Sequence, residues 1–297
     1  MEHVTDKFSL YNGDCVQIAK QMPNDSIHFS IFSPPFANLY IYSDDLADMG
    51  NCKNHEEFFN QFDYLLPELL RITVPGRLCA VHCKDLVKYK GRDGVAGLYD
   101  FSGDIIRHFI KSGWEYHSKI VVWKDPVVEM QRTKAHGLLW KQLRKDSSYS
   151  RQGIPDIMLI FRKWGEADKE PVTHTEEDFP VKLWQKYASP VWFDINQTNV
   201  LNIGCAREDK DTKHICPLQL DVIERCIELW TNKNDVVFTP FLGIGSEIYQ
   251  AVKMGRRGIG VELKQSYYEQ AVENCEKAEQ ENKSNLFAAF SKNKSEE

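Results

Sequence analysis

A chain of 297 residues with 42% hydrophobic and 27% charged side chains can bury a full core in one large domain, without disulfide or metal staples. It has no run of about 18 apolar residues, so no membrane-spanning helix is expected, and the opening MEHVTDKFSLYNGD lacks the basic-then-apolar order of a secretory leader. The net charge of −6 argues against a polyanionic partner only until the charges are located: residues 119–163 hold ten basic and four acidic side chains, so that window carries +6 and the rest of the chain −12.

Short β-rich apolar runs alternate with segments of helical period, which predicts an α/β sheet. In chain order, strands are predicted at 28–32, 77–83, 117–123, 157–162, 236–240 and 258–262. Between the first two, Phe58, Phe59, Phe62, Leu65, Leu66, Leu69 and Leu70 recur at helical spacing. Pro67 sits inside that pattern and predicts a kinked helix or two pieces, with Asn51 as a candidate cap. Residues 125–156 are basic, polar and aperiodic. In 164–212, GEADKEPVTHTEEDFP reads as a charged loop, whereas WQKYASPVWFDINQTNVLN has the aromatic content to pack. A helix over 218–230 puts Val222, Ile223, Cys226, Ile227 and Trp230 on one face. A polar helix over about 266–282 is expected to cover the sheet edge, and the charged end of the chain, 283–297, to be a flexible tail.

The eight cysteines are scattered and form no C-x-x-C. CAVHC at 79–83 hints at metal through His82, but its neighbours alternate like a strand, so reduced, packed thiols in a cytoplasmic protein are expected. Asp44, Asp45 and Asp48 read as a solvated acidic loop. No metal site is expected.

Near the C-terminus, DVVFTPFLGIGSEIYQAVKMGRRGIGVELKQ is a strand, a glycine turn, a helix and a second strand ending in an acid. A nucleoside-containing cofactor sits over the carboxyl end of such a strand. Gly243 and Gly245 let the backbone approach the ligand, and Glu262 is placed to accept hydrogen bonds from ribose hydroxyls. The third glycine of the dinucleotide fingerprint is replaced by Ile248. With no pyrophosphate to cradle, this favours S-adenosylmethionine over NAD.

The strand at 28–32 ends in Ser33-Pro34-Pro35-Phe36. A polyproline-like strand exit accounts for this as plain architecture. Methyl transfer to an exocyclic base amine gives it a second reading. The lone pair of that nitrogen is delocalised into the ring. Two rigid acceptors aimed at its N–H groups localise the pair for attack on a sulfonium methyl. The Ser33 hydroxyl and the Pro34 carbonyl can supply them, with proline fixing the backbone. Phe36 can stack on a flipped base.

Ser33-Pro34-Pro35-Phe36 resembles the [DNS]-P-P-[YFW] motif of the amino-methylating DNA methyltransferases, and TPFLGIGSE resembles their D-P-F-x-G-x-G cofactor motif. SPPF comes first and the cofactor motif last, an order similar to the permuted β group. The resemblance implies a Rossmann-like, doubly wound mixed sheet with an inserted DNA-recognition region. It implies cofactor contacts from Thr239, Pro240 and Phe241, with Thr239 where the family has Asp. LYNGDC resembles the opening motif and makes Asp14 a candidate contact to the cofactor adenine, and the entry KHICPLQLDVIERCIELW brings in Pro217. Serine before the prolines favours N4 of cytosine over N6 of adenine. C5 methylation would need a Pro-Cys nucleophile, which the chain lacks.

The predicted organisation is a catalytic half at 1–124, a target-recognition region at 125–212 with one core strand near 157–162, and a cofactor half at 213–282. Arg132, Lys134, Lys141, Arg144, Lys145 and Arg151 are candidate contacts to double-stranded DNA. A homodimer and a cognate restriction endonuclease are further candidate partners. The rivals from other classes are a nicotinamide-dependent dehydrogenase, which leaves SPPF unexplained, and an inactive DNA-binding module.

Overall fold

The computed structural model describes residues 1–35, 48–133, 136–166, 170–201 and 217–293. Its strands are β1 (Glu2–Val4), β2 (Phe8–Asn12), β3 (Ile27–Phe32), β4 (Thr73–Cys83), β5 (Leu86–Lys88), β6 (Gly97–Tyr99), β7 (Glu115–Val122), β8 (Asp156–Arg162), β9 (Val191–Trp192), β10 (Val236–Thr239) and β11 (Arg257–Glu262). Its helices are α1 (Cys15–Gln21), α2 (His55–Ile72), α3 (Lys90–Asp93), α4 (Phe101–Lys111), α5 (Pro126–Thr133), α6 (Trp140–Lys145), α7 (Val181–Tyr187), α8 (Leu220–Trp230), α9 (Ser246–Lys253) and α10 (Gln265–Asn293).

Among the described residues nine strands make one mixed sheet, ordered β1-β2-β11-β10-β3-β4-β8-β7-β9, and β5 pairs with β6 in a separate hairpin. Neighbours from β2 to β4 are parallel, β8 runs antiparallel between β4 and β7, and β1 is antiparallel at the edge. Successive side chains of a strand point to opposite faces, so a sheet covered on both sides needs apolar residues at consecutive positions. β3 and β8 meet that requirement. Ile27 and Phe32, with Ile157, Leu159 and Phe161, pack under α2 and α4. Phe29 and Ile31, with Met158 and Ile160, pack under α8.

Of the six predicted strands all are present, with β4 and β7 starting a few residues earlier than predicted. The short strands β1, β2, β5, β6 and β9 were not predicted, because two to five residues carry too little periodicity. β9 gives the region 125–212 a second strand in the sheet through Val121↔Val191 and Val122↔Trp192.

Pro67 does not divide α2, which runs unbroken from His55 to Ile72 and is capped by Asn54, not Asn51. A proline inside a helix costs about 3 kcal/mol. Leu65, Leu66, Leu69 and Ile72 around it are fully buried, at roughly 1.5–3 kcal/mol each, so packing outweighs the lost hydrogen bond. The polar helix expected over about 266–282 is α10, which runs from Gln265 to Asn293, and 294–297 lie outside the described residues.

Candidate active site at the switch point of the sheet

β3 and β10 are parallel neighbours, with Val237 opposite Phe29 and Phe238 opposite Ser30. The chain leaves them in opposite directions, from β3 through α2 to β4 and from β10 through α9 to β11. The crevice outside their carboxyl ends is where ligands bind in open α/β sheets. Ser33-Pro34-Pro35 leaves one lip and Thr239 to Gly245 the other. The two lips are tied together by the Phe32 and Phe241 rings, whose centroids are 5.7 Å apart. Phe36 lies outside the described residues.

On the cofactor lip, Gly243 (φ +54°) and Gly245 (φ +95°) hold left-handed conformations that glycine adopts without a Cβ clash. A Cβ on Gly243 would meet nothing within 4 Å, so this stretch of backbone faces open space. Gly245 instead backs onto Ala271 of α10. Glu262 closes the turn, with Oε2 accepting from Gly243 N at 2.7 Å and Oε1 from Lys264 N at 2.9 Å. Burial pushes its carboxyl up to about 7, against the lowering by those backbone donors. Glu247, in the first turn of α9, is pushed up to about 8 by burial, with the Glu262 charge adding to the rise.

The other sequence-predicted cofactor residues divide. Gly13 N and Asn12 Nδ2 both donate to the Glu262 carbonyl, which brings the β2 exit against this lip. Asp14 caps α1 there by accepting from Val16 N at 2.8 Å. Thr239 is fully buried, and its Oγ1 has no hydrogen-bond partner among the described residues. Phe241 packs its ring between Phe32 and Phe62, so its side chain is architectural while its backbone forms the turn. Pro217 is half-buried just before α8. An open glycine turn, a buried orphan hydroxyl and two buried carboxyls, which a neighbouring positive charge would ionise, fit a ligand that brings ribose hydroxyls and positive charge.

The lip beyond β3 holds a residue that sequence reasoning did not single out for chemistry. Ser33 Oγ lies 3.0 Å from His82 Nδ1. His82 Nε2 is 3.2 Å from Asp156 Oδ2, close enough for an ion pair but not aligned for a straight hydrogen bond. Lys124 Nζ is 2.5 Å from the same carboxylate oxygen and also donates to Gln197 Oε1 at 2.5 Å. Burial alone would raise the Asp156 carboxyl, but His82 and Lys124 hold it well below the usual carboxylate range. The readable signal was a histidine near the end of one predicted strand and an aspartate just before another.

Beyond Lys124 lies an open cleft of about 630 Å³ lined by Trp123, Leu138, Leu139, Trp140, Pro155 and Val191, among others. Of the predicted DNA contacts, Lys141, Arg144 and Lys145 are exposed on or beside α6. Arg151 is already engaged, with both terminal nitrogens 3.3 Å from Glu129 Oε1. Lys134 and the side chain of Arg132 lie outside the described residues. Asp48 is buried and caps a 3-10 turn, while Asp44 and Asp45 lie outside the described residues. Among the described residues there is no cluster of metal ligands, and six buried cysteines are free. No described helix is long and apolar enough to cross a membrane.

Known proteins resemble this arrangement over most of its length. The chain is 22% identical over 289 residues to the Type II methyltransferase M.MjaI of Methanocaldococcus jannaschii, covering 89% of each. It is 21% identical to the Type II methyltransferase M.BamHI of Bacillus amyloliquefaciens, covering 87% of this chain and 55% of that one. Among solved structures, TTHA0409 of Thermus thermophilus complexed with S-adenosyl-L-methionine superposes with a TM-score of 0.65. That match has 22% identity and covers 91% of this chain and 95% of that one. PvuII DNA methyltransferase (cytosine-N4-specific) superposes with a TM-score of 0.64 at 16% identity, covering 91% and 87%. These likenesses establish a mixed α/β methyltransferase fold. Residues 27–273 match the N6/N4 family described as DNA methylase, and the chain belongs to that family.

Proposed function

We propose that this protein moves a methyl group from S-adenosylmethionine to the exocyclic N4 amine of a cytosine flipped out of double-stranded DNA. The observation that carries the reading is the meeting of Ser33-Pro34 and the Gly243 turn at the carboxyl ends of adjacent strands. The cofactor supplies an already activated methyl on a sulfonium. Gly243, Gly245 and Glu262 hold it from one lip, with Asp14, Thr239 and Pro217 beside them. From the other lip the Ser33 hydroxyl and Pro34 carbonyl accept the two amine hydrogens, and Phe36 stacks on the base. The order of the two lips along the chain suits the permuted β group. Sequence recognition falls to residues 125–212, which hold the exposed basic side chains of α6 and most of the lining of the cleft beside Trp123. Support for the base comes from the serine before the prolines and from the likeness to a cytosine-N4-specific enzyme.

The test is to incubate protein, S-adenosylmethionine and duplex DNA, digest to nucleosides and weigh the products. N4-methylcytosine is expected. N6-methyladenine would overturn the base assignment, and unmodified nucleosides the reaction itself. Ser33→Ala and Phe36→Ala are each expected to abolish transfer with cofactor affinity retained.

A further inference from the structure

Two groups from two strands line up behind Ser33, which lies just beyond β3: His82 near the end of β4 and Asp156 at the start of β8. His82 and Asp156 are buried. A buried histidine paired with an acid is commonly a packing element. Here the nitrogen away from the acid points at the hydroxyl of the methyltransfer motif, at 3.0 Å.

We propose that His82 is a positioning residue that sets the hydrogen-bond polarity of Ser33 and takes, through Ser33, the proton released by the methylated amine. This rests on the methyltransfer reading above. The Asp156 carboxylate is an acceptor only, and it faces His82 Nε2. The carboxylate charge, 3.2 Å from Nε2, favours the tautomer that keeps the proton on Nε2 and leaves Nδ1 bare. Ser33 then donates its hydroxyl proton to Nδ1, at 3.0 Å the nearer acceptor than the His82 carbonyl at 3.4 Å, which turns its oxygen lone pairs outward to accept from the base amine. The opposite tautomer would point an N–H at Ser33 and occupy the oxygen that the amine needs.

The polarity also supplies a route for the proton. The amine nitrogen forms its bond to the methyl carbon as the carbon–sulfur bond breaks, with that electron pair staying on sulfur. The nitrogen then carries a positive charge and one proton too many. That proton passes to Ser33 Oγ while the Ser33 proton passes to His82 Nδ1. The resulting imidazolium is stabilised by Asp156 and returns the proton to water. Lys124, fixed by Gln197, keeps Asp156 ionised for this role. The arrangement works as serine–histidine–aspartate triads do, by geometry and not by chain position. Its ring is reversed, with serine on Nδ1.

The charged groups facing the imidazole are Asp156 from β8 and Lys124 from the loop beyond β7. The experiment is single-turnover methyl transfer at saturating S-adenosylmethionine and DNA in wild type, His82→Asn and Asp156→Asn, beside titrations of cofactor and DNA affinity. His82→Asn, whose amide cannot take up a proton, is expected to fall by at least about 100-fold in rate. Asp156→Asn keeps the ring but frees its tautomer, and is expected to lose at least about tenfold. Both affinities should be unchanged in both variants, a rate loss without a binding loss that a merely structural role would not give and that also reports that they are folded. Wild-type rate in either variant, or a rate loss matched by an equal loss of cofactor or DNA affinity, overturns the relay while leaving the methyltransfer reading standing. Wild-type protein that methylates no DNA overturns the reading beneath it.

Discussion

Ile248 of α9 lies so close to Gly258 of β11 that a Cβ on the glycine would stand 2.4 Å from Ile248 Cγ2. A nucleotide-binding βαβ unit needs its helix pressed tightly on its sheet, and the dinucleotide fingerprint meets that need with a glycine on the helix. Here the small residue is on the strand and the large one on the helix. Gly258→Ala should therefore destabilise by about 1–3 kcal/mol through overpacking. Ile248→Ala combined with it should cost less than the two single losses together, measured as a denaturant double-mutant cycle. Strict additivity would mean the two positions do not share this contact.

The two turn glycines should fail in different ways. A Cβ on Gly245 would be 3.1 Å from the Ala271 Cβ, and the residue is at φ +95°. Gly245→Ala is expected to lower stability by about 1–3 kcal/mol. Gly243 faces open space, so Gly243→Ala pays only the left-handed strain of about 1–2 kcal/mol but sets a methyl in the cofactor crevice. The expected outcome is weaker S-adenosylmethionine binding by titration with a smaller drop in melting temperature. Equal binding loss in both would undo the distinction.

Glu247 and Glu262 make the protein sensitive to pH from the alkaline side. Burial raises their folded values to about 8 and about 7 from an ordinary 4.5. Between the ordinary and the raised values the folded chain holds protons that the unfolded chain releases, so stability is full below about pH 4.5 and is lost as pH rises through 7 and 8. The cofactor-free melting temperature should decline over about pH 5 to 8, and Glu247→Gln should remove much of that decline. Positive charge on S-adenosylmethionine favours the ionised carboxyls, so its affinity should rise over the same interval. A melting temperature that climbs with pH would contradict the burial argument.

How much of this was legible in the sequence depended on the length over which a pattern persists. Helix α8 and the β10-turn-α9-β11 unit were read within a few residues, because period and punctuation agreed over tens of residues. Pro67 misled because local chemistry argued for a break, whereas the burial of Leu65, Leu66, Leu69 and Ile72 decides the outcome only in three dimensions. Ser33 and Glu262 were legible from strand ends. His82 was read only as a neighbour of cysteines, since its role depends on Asp156, 74 positions away in the chain and brought next to it by the β4–β8 ladder. That pairing crosses the whole basic region and leaves no local signal.

Within residues 125–212, charge alone does not single out side chains that would meet DNA. Lys141, Arg144 and Lys145 are exposed around α6, and exposed cations release counterions when they meet phosphates. Replacing all three with alanine should weaken DNA binding for every sequence and lower the slope of log affinity against log salt by about one for each phosphate left unneutralised. Arg151 belongs to a different class. Its guanidinium meets Glu129, which is buried and whose Oε2 accepts from Ile154 N at 2.6 Å, tying residues 151–154 to α5. Arg151→Ala removes the guanidinium from a buried carboxylate, a loss of about 1–3 kcal/mol. It should lower the melting temperature while leaving the salt slope of DNA binding in place. A slope that drops in Arg151→Ala as it does per residue in the triple variant would reassign Arg151 to the phosphate backbone.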